Sequence, residues 1–266
     1  MARRGVIMKE QLRCVVVCKR KLCLFLVTAV TLVCAVAACL FTSSAALYSG
    51  STTRKVPIYR VETEEKKVAI SFDAAWGADK TDDILKTVEE YDIKANFFVV
   101  GFWAEKYPDK LKKLHDSGRI EIGVHSNTHP HMPKLSREKM KSELTVCADI
   151  IKDITGKQSD LFRAPFGDYS DALLEVADAC GFYTIQWDVD SLDWKGLSSG
   201  EIAARVLKKA TNGSIILLHN DGKNTVAALP AIITGLKAKG FEFVNIGDLI
   251  YRENYTVRSD GAQIRS

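Results

Sequence analysis

The residues of this sequence best suited to chemistry lie at the ends of short apolar runs. His125 and His129 are four residues apart and come directly after the run Ile120–Val124. Neutral imidazoles suit a borderline divalent ion such as zinc, and a catalytic zinc keeps one position open for water. Asp73 and His219 also follow apolar runs. The spacing of the two histidines alone is weak evidence, but the four side chains together predict a hydrolytic metal site.

Asp73, Arg163 and His219 have the properties of an acid–base set. A carboxylate at the end of a strand is suited to take a proton from water held by the metal, whereas the alternative is a solvated aspartate without a role. An imidazole at the end of an apolar strand can protonate a leaving group, whereas the alternative is a structural histidine in the core. We expect Arg163 to pair with Asp73 and keep it ionised. The turn Pro165–Gly167 can point a backbone N–H at developing oxyanion charge.

An alternation of strand-like and helix-like segments must position these residues. The segments predicted as strands are 68–72, 95–100, 120–124, 161–162, 183–187, 214–218 and 241–244. Strict alternation implies a parallel sheet with crossover helices. About seven such units suit a (β/α) barrel, complete or incomplete, and an open doubly wound sheet is the alternative. The polar residues follow the strands, where barrel enzymes build their active sites.

The N-terminal part of the chain predicts export to the cell surface. Residues 1–21 hold seven basic residues and one acidic residue, so the rest of a chain with net charge +4 carries −2 and has no basic excess for nucleic acid. Leu22–Phe41 is uncharged and, at about 1.5 Å per residue, long enough for one bilayer. We expect a single transmembrane helix with the domain on the external side of the cell membrane, or a secreted domain if this segment is cleaved as a signal peptide.

The expected organisation has five parts. They are a basic cytoplasmic tail at 1–21, the transmembrane helix or signal anchor at 22–41, a linker at 42–65, the catalytic domain at 66–252 and a C-terminal tail at 253–266. The fold class expected is therefore α/β, with one N-terminal transmembrane helix before the barrel.

Five fragments occur in the order of the motifs of a known family. They are Ser71–Asp73, His125–His129, Arg163–Gly167, Asp190–Trp194 and Leu217–His219. Between roughly Lys66 and Tyr251 the chain resembles the polysaccharide deacetylases, carbohydrate esterase family 4, also called the NodB-homology domain. The resemblance implies a distorted (β/α) barrel. The form Phe-Asp-x-x-Trp-Gly at residues 72–77 resembles the membrane-anchored, sporulation-type branch of the family.

The resemblance also implies roles for the matched residues. Asp73 would be the catalytic base, Arg163 the residue that tunes it, His219 the general acid and Asp193 the partner of that acid. The two histidines of the second motif, His125 and His129, would be the metal ligands.

Four residues are expected to contact substrate. The backbone N–H at Phe166 would help to form the oxyanion hole, Trp194 would be a wall of the groove, and Leu217 belongs to the last motif. Trp76, like Trp194, is a candidate face for stacking on sugar rings, with ordinary packing as the alternative.

Ala74 departs from the family pattern, which usually has a second aspartate here as the third protein ligand of the metal. An alanine side chain cannot bind a metal. The ion would therefore keep two histidines and water, or borrow a ligand from Asp79 or His131. We expect this substitution to weaken metal affinity.

The expected activity is the metal-dependent removal of N-acetyl groups from amino-sugar polymers of the cell wall, with release of acetate. The substrate expected is peptidoglycan, with chitin-like glycans as the second choice, and the metal expected is zinc, with cobalt or manganese as alternatives. The competing hypothesis is a glycan-binding pseudoenzyme in which Ala74 has weakened the metal site. A third hypothesis, a different metal-dependent amidohydrolase on the same barrel, would release a product other than acetate.

Overall fold

The computed structural model describes residues 55–266 and, nearer the N-terminus, residues 19, 27, 28 and 30–32. The chain divides into two compact units, Met1–Thr53 and Arg54–Ser266. Most of the predicted span Leu22–Phe41 lies outside the described residues, and those described within it are helical. No helix among the residues that the structure describes is long and apolar enough to cross a membrane. The predicted transmembrane helix therefore stays a prediction.

The second unit alternates strands and helices. Its strands are β1 (Arg60–Val61), β2 (Lys67–Ala74), β3 (Ala95–Val99), β4 (Ile120–Val124), β5 (Leu161–Phe162), β6 (Tyr183–Thr184), β7 (Val189–Asp190), β8 (Ile215–His219), β9 (Glu242–Phe243), β10 (Tyr255–Val257) and β11 (Ala262–Arg265). Its helices are α1 (Thr81–Glu90), α2 (Gly101–Lys106), α3 (Pro108–Asp116), α4 (Arg137–Thr155), α5 (Asp171–Ala179), α6 (Ser199–Lys209), α7 (Thr225–Ala238) and α8 (Ile246–Leu249).

Local sequence explains where several of these helices begin and end. Ser198 and Glu201 form a reciprocal capping box at the start of α6, as their spacing predicts. The side chain of Ser136 accepts a hydrogen bond from the N–H of Lys139 at the start of α4. Gly156 ends α4 with a φ of 76°, a backbone conformation that suits glycine.

The main sheet is parallel and curls into an incomplete barrel. Its strand order is β6-β5-β4-β3-β2-β8-β7, and β9 pairs with the beginning of β2. Alternate residues of these strands face two apolar clusters, because successive side chains of a strand point to opposite faces. Ala69, Phe98, Leu161 and Ile215, from strands that are not all neighbours, share the inner cluster. A flat sheet could not bring them together, so the predicted parallel barrel is confirmed in its incomplete form.

The structured unit extends beyond the predicted domain at both ends. Ile58 pairs with Ile185 beside β6, and Arg60 pairs with Ser214 beside β8. Strands β1, β11 and β10 form a second sheet of three strands, which includes residues predicted as linker and tail. These strands are two to four residues long, too short to show a periodic apolar pattern in the sequence.

Gly213, just before β8, lies against the backbone of Val61 in β1, and we expect its replacement by alanine to destabilise the domain. Its φ is 73°, and an added Cβ would overlap the carbonyl oxygen of Val61, a backbone atom that cannot rotate away. The expected loss in the free energy of unfolding is about 1–3 kcal/mol, measured by urea denaturation. Gly200 in α6 is the matched control because an added Cβ meets no atom there, so Gly200→Ala is expected to leave stability unchanged or slightly raised. Equal stability of the two variants would contradict this account.

Candidate active site

Parallel pairing brings the predicted catalytic residues to one end of the barrel. Asp73, near the end of β2, lies opposite His219 at the end of β8 in the register of the two strands. His125 directly follows β4, and Arg163 directly follows β5. The strands and their register therefore place all four side chains at the carboxyl ends, where the sequence predicted the site.

Asp73 and Arg163 form a buried ion pair. The Nη1 group of Arg163 donates to Oδ1 of Asp73 at 2.7 Å, and the arginine side chain is fully buried. Nη2 donates to the carbonyl of Gln186 at 3.1 Å, and the guanidinium carbon lies 4.1 Å from the centre of the Phe98 ring. Burial opposes ionisation of Asp73, but the charge and the hydrogen bond of Arg163 act against it, and the pKa of the carboxyl stays below its usual value. Asp73 is thus kept as a carboxylate.

His125 is oriented so that one ring nitrogen remains free to bind. Its Nδ1 lies 2.8 Å from the carbonyl oxygen of Arg163, which can only accept, so Nδ1 carries the proton. Nε2 then presents a lone pair, 3.6 Å from Oδ2 of Asp73. Burial is the largest influence on the ring and lowers the pKa of His125. A neutral imidazole with one nitrogen fixed by a carbonyl is the usual state of a metal-binding histidine.

His129 completes a pair of neutral imidazoles. The centre of its ring is 5.1 Å from that of His125, and it also makes edge contacts with Phe166 at 4.6 Å and Trp76 at 5.5 Å. Burial, followed by the proximity of His125, lowers the pKa of His129 to about 4. Both rings are therefore uncharged at neutral pH and have lone pairs available to a cation.

Neither residue suggested as a third metal ligand from the sequence is drawn into the site. The side chain of Asp79 is largely exposed and lies 3.8 Å from the ammonium of Lys80. Nδ1 of His131 is 2.5 Å from Oδ2 of Asp168, and its ring stacks on Phe166 with 4.2 Å between ring centres. Asp79 is thus directed to solvent, and His131 is paired with Asp168.

Ala74 is fully buried at the end of β2 and belongs to the larger apolar cluster, which also holds Ala75 and Ala78. Among the residues that the structure describes, no group of three or more His, Cys, Asp or Glu side chains is placed to hold a metal ion. Two neutral imidazoles suit a divalent ion, so His125 and His129 would hold it, and its other ligands would come from outside the described residues.

His219 and Asp193 form a second hydrogen-bonded pair, beside the ends of the neighbouring strands β7 and β8. Nδ1 of His219 donates to Oδ1 of Asp193 at 2.8 Å, and the aspartate is fully buried. Oδ2 of Asp193 accepts from the backbone N–H of His219 at 2.8 Å and from the hydroxyl of Thr225 at 2.5 Å. Burial opposes protonation of the imidazole, but the hydrogen bond and charge of Asp193 outweigh it and raise the pKa of His219. The Nε2 atom is left as the nitrogen that can deliver a proton.

The predicted substrate-contacting residues differ in exposure. Phe166 has a φ of 60° in the turn Pro165–Gly167, and its ring is exposed, as are those of Trp76 and Trp194. Leu217 is only 2% exposed and lies one step below His219 on the same face of β8. Leu217 therefore lies beneath His219 and not at the exposed edge of the site. Its contact with substrate stays a prediction.

Three contacts of the site were not predicted from the sequence. Gln186 receives a hydrogen bond from Arg163, Phe98 lies under the guanidinium, and Thr225 holds Asp193. Thr225 begins α7, 32 residues after its partner, and no local spacing marks such a contact. Phe98 was part of a predicted strand, but its sequence neighbours do not reveal that an arginine lies against its ring.

Comparison with known proteins identifies relatives of this chain. Residues 60–185 match the family model for polysaccharide deacetylase. The peptidoglycan-N-acetylglucosamine deacetylase PgdA of Listeria monocytogenes is 33% identical over 73% of this chain and 41% of its own length. The chain therefore spans about two fifths of that relative. The peptidoglycan-N-acetylmuramic acid deacetylase PdaA of Bacillus subtilis is 31% identical over 76% of this chain and 78% of its own length.

A similar solved structure supports the same grouping. A CE4 family pseudoenzyme from Bacillus anthracis is 34% identical and has a TM-score of 0.70, with 73% of this chain and 68% of that chain covered. A mutant of that pseudoenzyme is described as having restored enzymatic activity. Together with the strand order, the half-closed barrel and the matching relatives, this likeness shows that the chain belongs to the polysaccharide deacetylase family of hydrolases.

Proposed function

We propose that the protein is a metal-dependent N-deacetylase of cell-wall amino sugars. The observation that carries the proposal is the geometry of two groups that lie opposite each other on β2 and β8: Asp73 is bound by Arg163, and His219 is bound by Asp193. The pKa of Asp73 is lowered, and the pKa of His219 is raised. Two titratable groups whose environments move their pKa values apart are the arrangement expected of a catalytic base and a catalytic acid.

The chain's own residues account for the proton transfers. The ionised carboxylate of Asp73, held by Arg163, accepts a proton from the attacking water. The backbone N–H at Phe166 stabilises the negative charge that develops on the acetyl oxygen. His219, oriented by Asp193, then protonates the departing amine, and acetate is released. The ion that His125 and His129 would hold, zinc first and cobalt or manganese otherwise, supplies Lewis acidity to the acetyl carbonyl when bound.

Peptidoglycan is the proposed substrate, with chitin-like glycans as the second choice. Two relatives are named as deacetylases of its two amino sugars, and the exposed rings of Trp76 and Trp194 are suited to stack on pyranose faces. The uncharged segment Leu22–Phe41 supports a single-pass anchor with the domain on the external face, and residues 72–77 favour the sporulation-type branch.

The alternative is a glycan-binding pseudoenzyme. It is favoured by Ala74 at the position of the usual ligand and by the likeness to the Bacillus anthracis pseudoenzyme. It is disfavoured by the complete acid–base set, since a binding module has no need of a buried Asp73–Arg163 pair and a His219–Asp193 pair.

Acetate release decides between the two. The purified chain, stripped of metal and then titrated with zinc, cobalt or manganese, is assayed on N-acetylglucosamine oligomers and on peptidoglycan. Acetate that appears only with metal supports the deacetylase. A folded protein that binds glycan but releases no acetate with any metal supports the pseudoenzyme, and a product other than acetate supports a different amidohydrolase.

We expect Ala74→Asp to strengthen metal binding while it weakens the metal-free fold. Position 74 is fully buried, and an unpaired carboxylate there is costly unless a cation compensates it. We expect the zinc affinity, measured by calorimetry, to rise by at least about 10-fold. At saturating zinc, this gain would add about 1.4 kcal/mol to the stabilisation of the folded protein by the metal. Ala75→Asp is the matched control, because Ala75 is the buried neighbour of Ala74. We expect this variant to lose stability without a gain in zinc affinity. Unchanged zinc affinity in Ala74→Asp would show that this position does not face the metal.

A further inference from the structure

The loop that joins the two candidate metal ligands is held in an unfavourable backbone conformation. Ser126 has a φ of 67° and His129 a φ of 57°, and neither is glycine. Left-handed conformations at such residues cost on the order of 1–3 kcal/mol each and persist only when the surroundings impose them. The position of the His129 ring relative to that of His125 therefore depends on what holds this loop.

A carboxylate from helix α4 holds the middle of the loop. Oε2 of Glu143 accepts hydrogen bonds from the backbone N–H groups of Asn127 at 2.8 Å and Thr128 at 2.7 Å. Oε1 accepts from the hydroxyl of Thr128 at 2.7 Å. Hydrogen bonds to an ionised group are roughly twice as strong as neutral ones, so one side chain supplies three strong contacts to two consecutive residues.

Helix α4, which carries Glu143, is itself packed into the core of the domain. Leu144 and Cys147 of the helix are fully buried, and the thiol of Cys147 donates to the carbonyl of Val99 on β3 at 3.3 Å. On the other side of the loop, the N–H groups of Gly101 and Phe102 donate to loop carbonyls at 3.0 and 3.2 Å. The loop is thus clamped between two helices, and Glu143 is the only acidic side chain among these contacts.

We propose that Glu143 is a positioning residue that sets the His129 ring against the His125 ring so that both bind one ion. The proposal rests on the metal site of the proposed function. With only two imidazoles as protein ligands, affinity depends strongly on how well the pair is held before binding. Glu143 bonds to the loop between the two histidines, and no hydrogen bond joins it to either ring.

The test compares three variants of the full chain. Glu143→Ala removes all three hydrogen bonds, and Glu143→Gln keeps a carbonyl acceptor for the two backbone N–H groups while it removes the charge. Asp149→Asn, at an exposed position on the same helix, is the matched control for a lost α4 charge. Thermal unfolding is recorded for each variant, so that a general loss of fold is recognised.

The first measurement needs no metal. In the metal-free protein, NMR signals of the His129 ring report its contacts with the Trp76 and Phe166 rings, which shift neighbouring resonances. We expect these signals to move or broaden in Glu143→Ala, to stay close to those of the unmodified chain in Glu143→Gln, and to be unchanged in Asp149→Asn. Unchanged His129 signals in a folded Glu143→Ala variant would overturn the proposal.

The second measurement is zinc affinity by calorimetry. We expect a loss of about 10- to 100-fold in Glu143→Ala, a smaller loss in Glu143→Gln and none in Asp149→Asn. Unchanged affinity in Glu143→Ala would also overturn the proposal. If the unmodified chain binds no zinc while its His129 signals still depend on Glu143, the metal part of the proposed function fails and the positioning role stands.

Discussion

Asp73→Asn is expected to reduce acetate release by about 100- to 10,000-fold, the range that removal of a general base usually produces. Asparagine has nearly the shape of aspartate but cannot accept the proton of the attacking water. The carboxylate that would accept this proton is held in place by Arg163, whose charge keeps it ionised. The measurement is the steady-state rate of acetate release at saturating metal.

The same substitution should also lower stability, and a double variant separates the two effects. Asp73→Asn leaves the fully buried guanidinium of Arg163 without a countercharge, and broken buried ion pairs cost about 3–5 kcal/mol, less here because the amide oxygen still accepts. Asp73→Asn combined with Arg163→Met removes both charges and should recover much of the thermal stability without recovering activity. Near-normal turnover in either variant would contradict the role of Asp73 as base.

His219→Ala is expected to cause a second large loss of activity, about 100- to 10,000-fold, because the departing amine would have no proton donor. The loss should be greatest for the natural amide, which needs protonation of its leaving group, and much smaller for an ester analogue whose leaving group departs unaided. Both rates are measured as kcat/KM on matched substrates. Equal losses on amide and ester would argue that His219 acts through binding.

The pH dependence of the His219 contribution follows from the direction of its pKa shift. Asp193 raises the pKa of the folded-state imidazole above its ordinary 6.5, so the acid form persists to higher pH. Stabilisation from this pair is fully present below about pH 6.5 and is lost as pH rises through the folded-state pKa. Asp193→Asn should move the alkaline limb of the kcat/KM profile to lower pH. If the alkaline limb does not move, a group other than His219 is responsible for it.

The fold and the placement of the candidate residues Asp73, His125 and His219 were predictable because both follow from local periodicity. Apolar runs that alternate with helical patterns predict parallel strands, and polar residues directly after such runs must meet at one end of the barrel. Asp73, His125 and His219 were found in this way, and the structure places them together.

The supporting contacts were not predictable because they join residues from different elements. Glu143 meets the histidine loop 15 and 16 residues away, and Thr225 meets Asp193 across 32 residues, without any pattern that marks these pairs. The pairing of Ile58 with Ile185 is likewise a consequence of the finished barrel. Such contacts depend on tertiary geometry, which a single sequence does not display.

The buried pair of Asp73 and Arg163 also constrains the order in which the domain folds. The two residues are separated by 90 positions in the chain, one at the end of β2 and the other after β5. A partly folded chain that has assembled only β2, β3 and β4 would lack the guanidinium that compensates for the burial of Asp73 in the finished barrel. Long-range pairing of this kind is slow because a long loop must close first. Barrel curvature and the Asp73–Arg163 pair should therefore form in the same late step of folding, and a chain that ends before β5 should have neither.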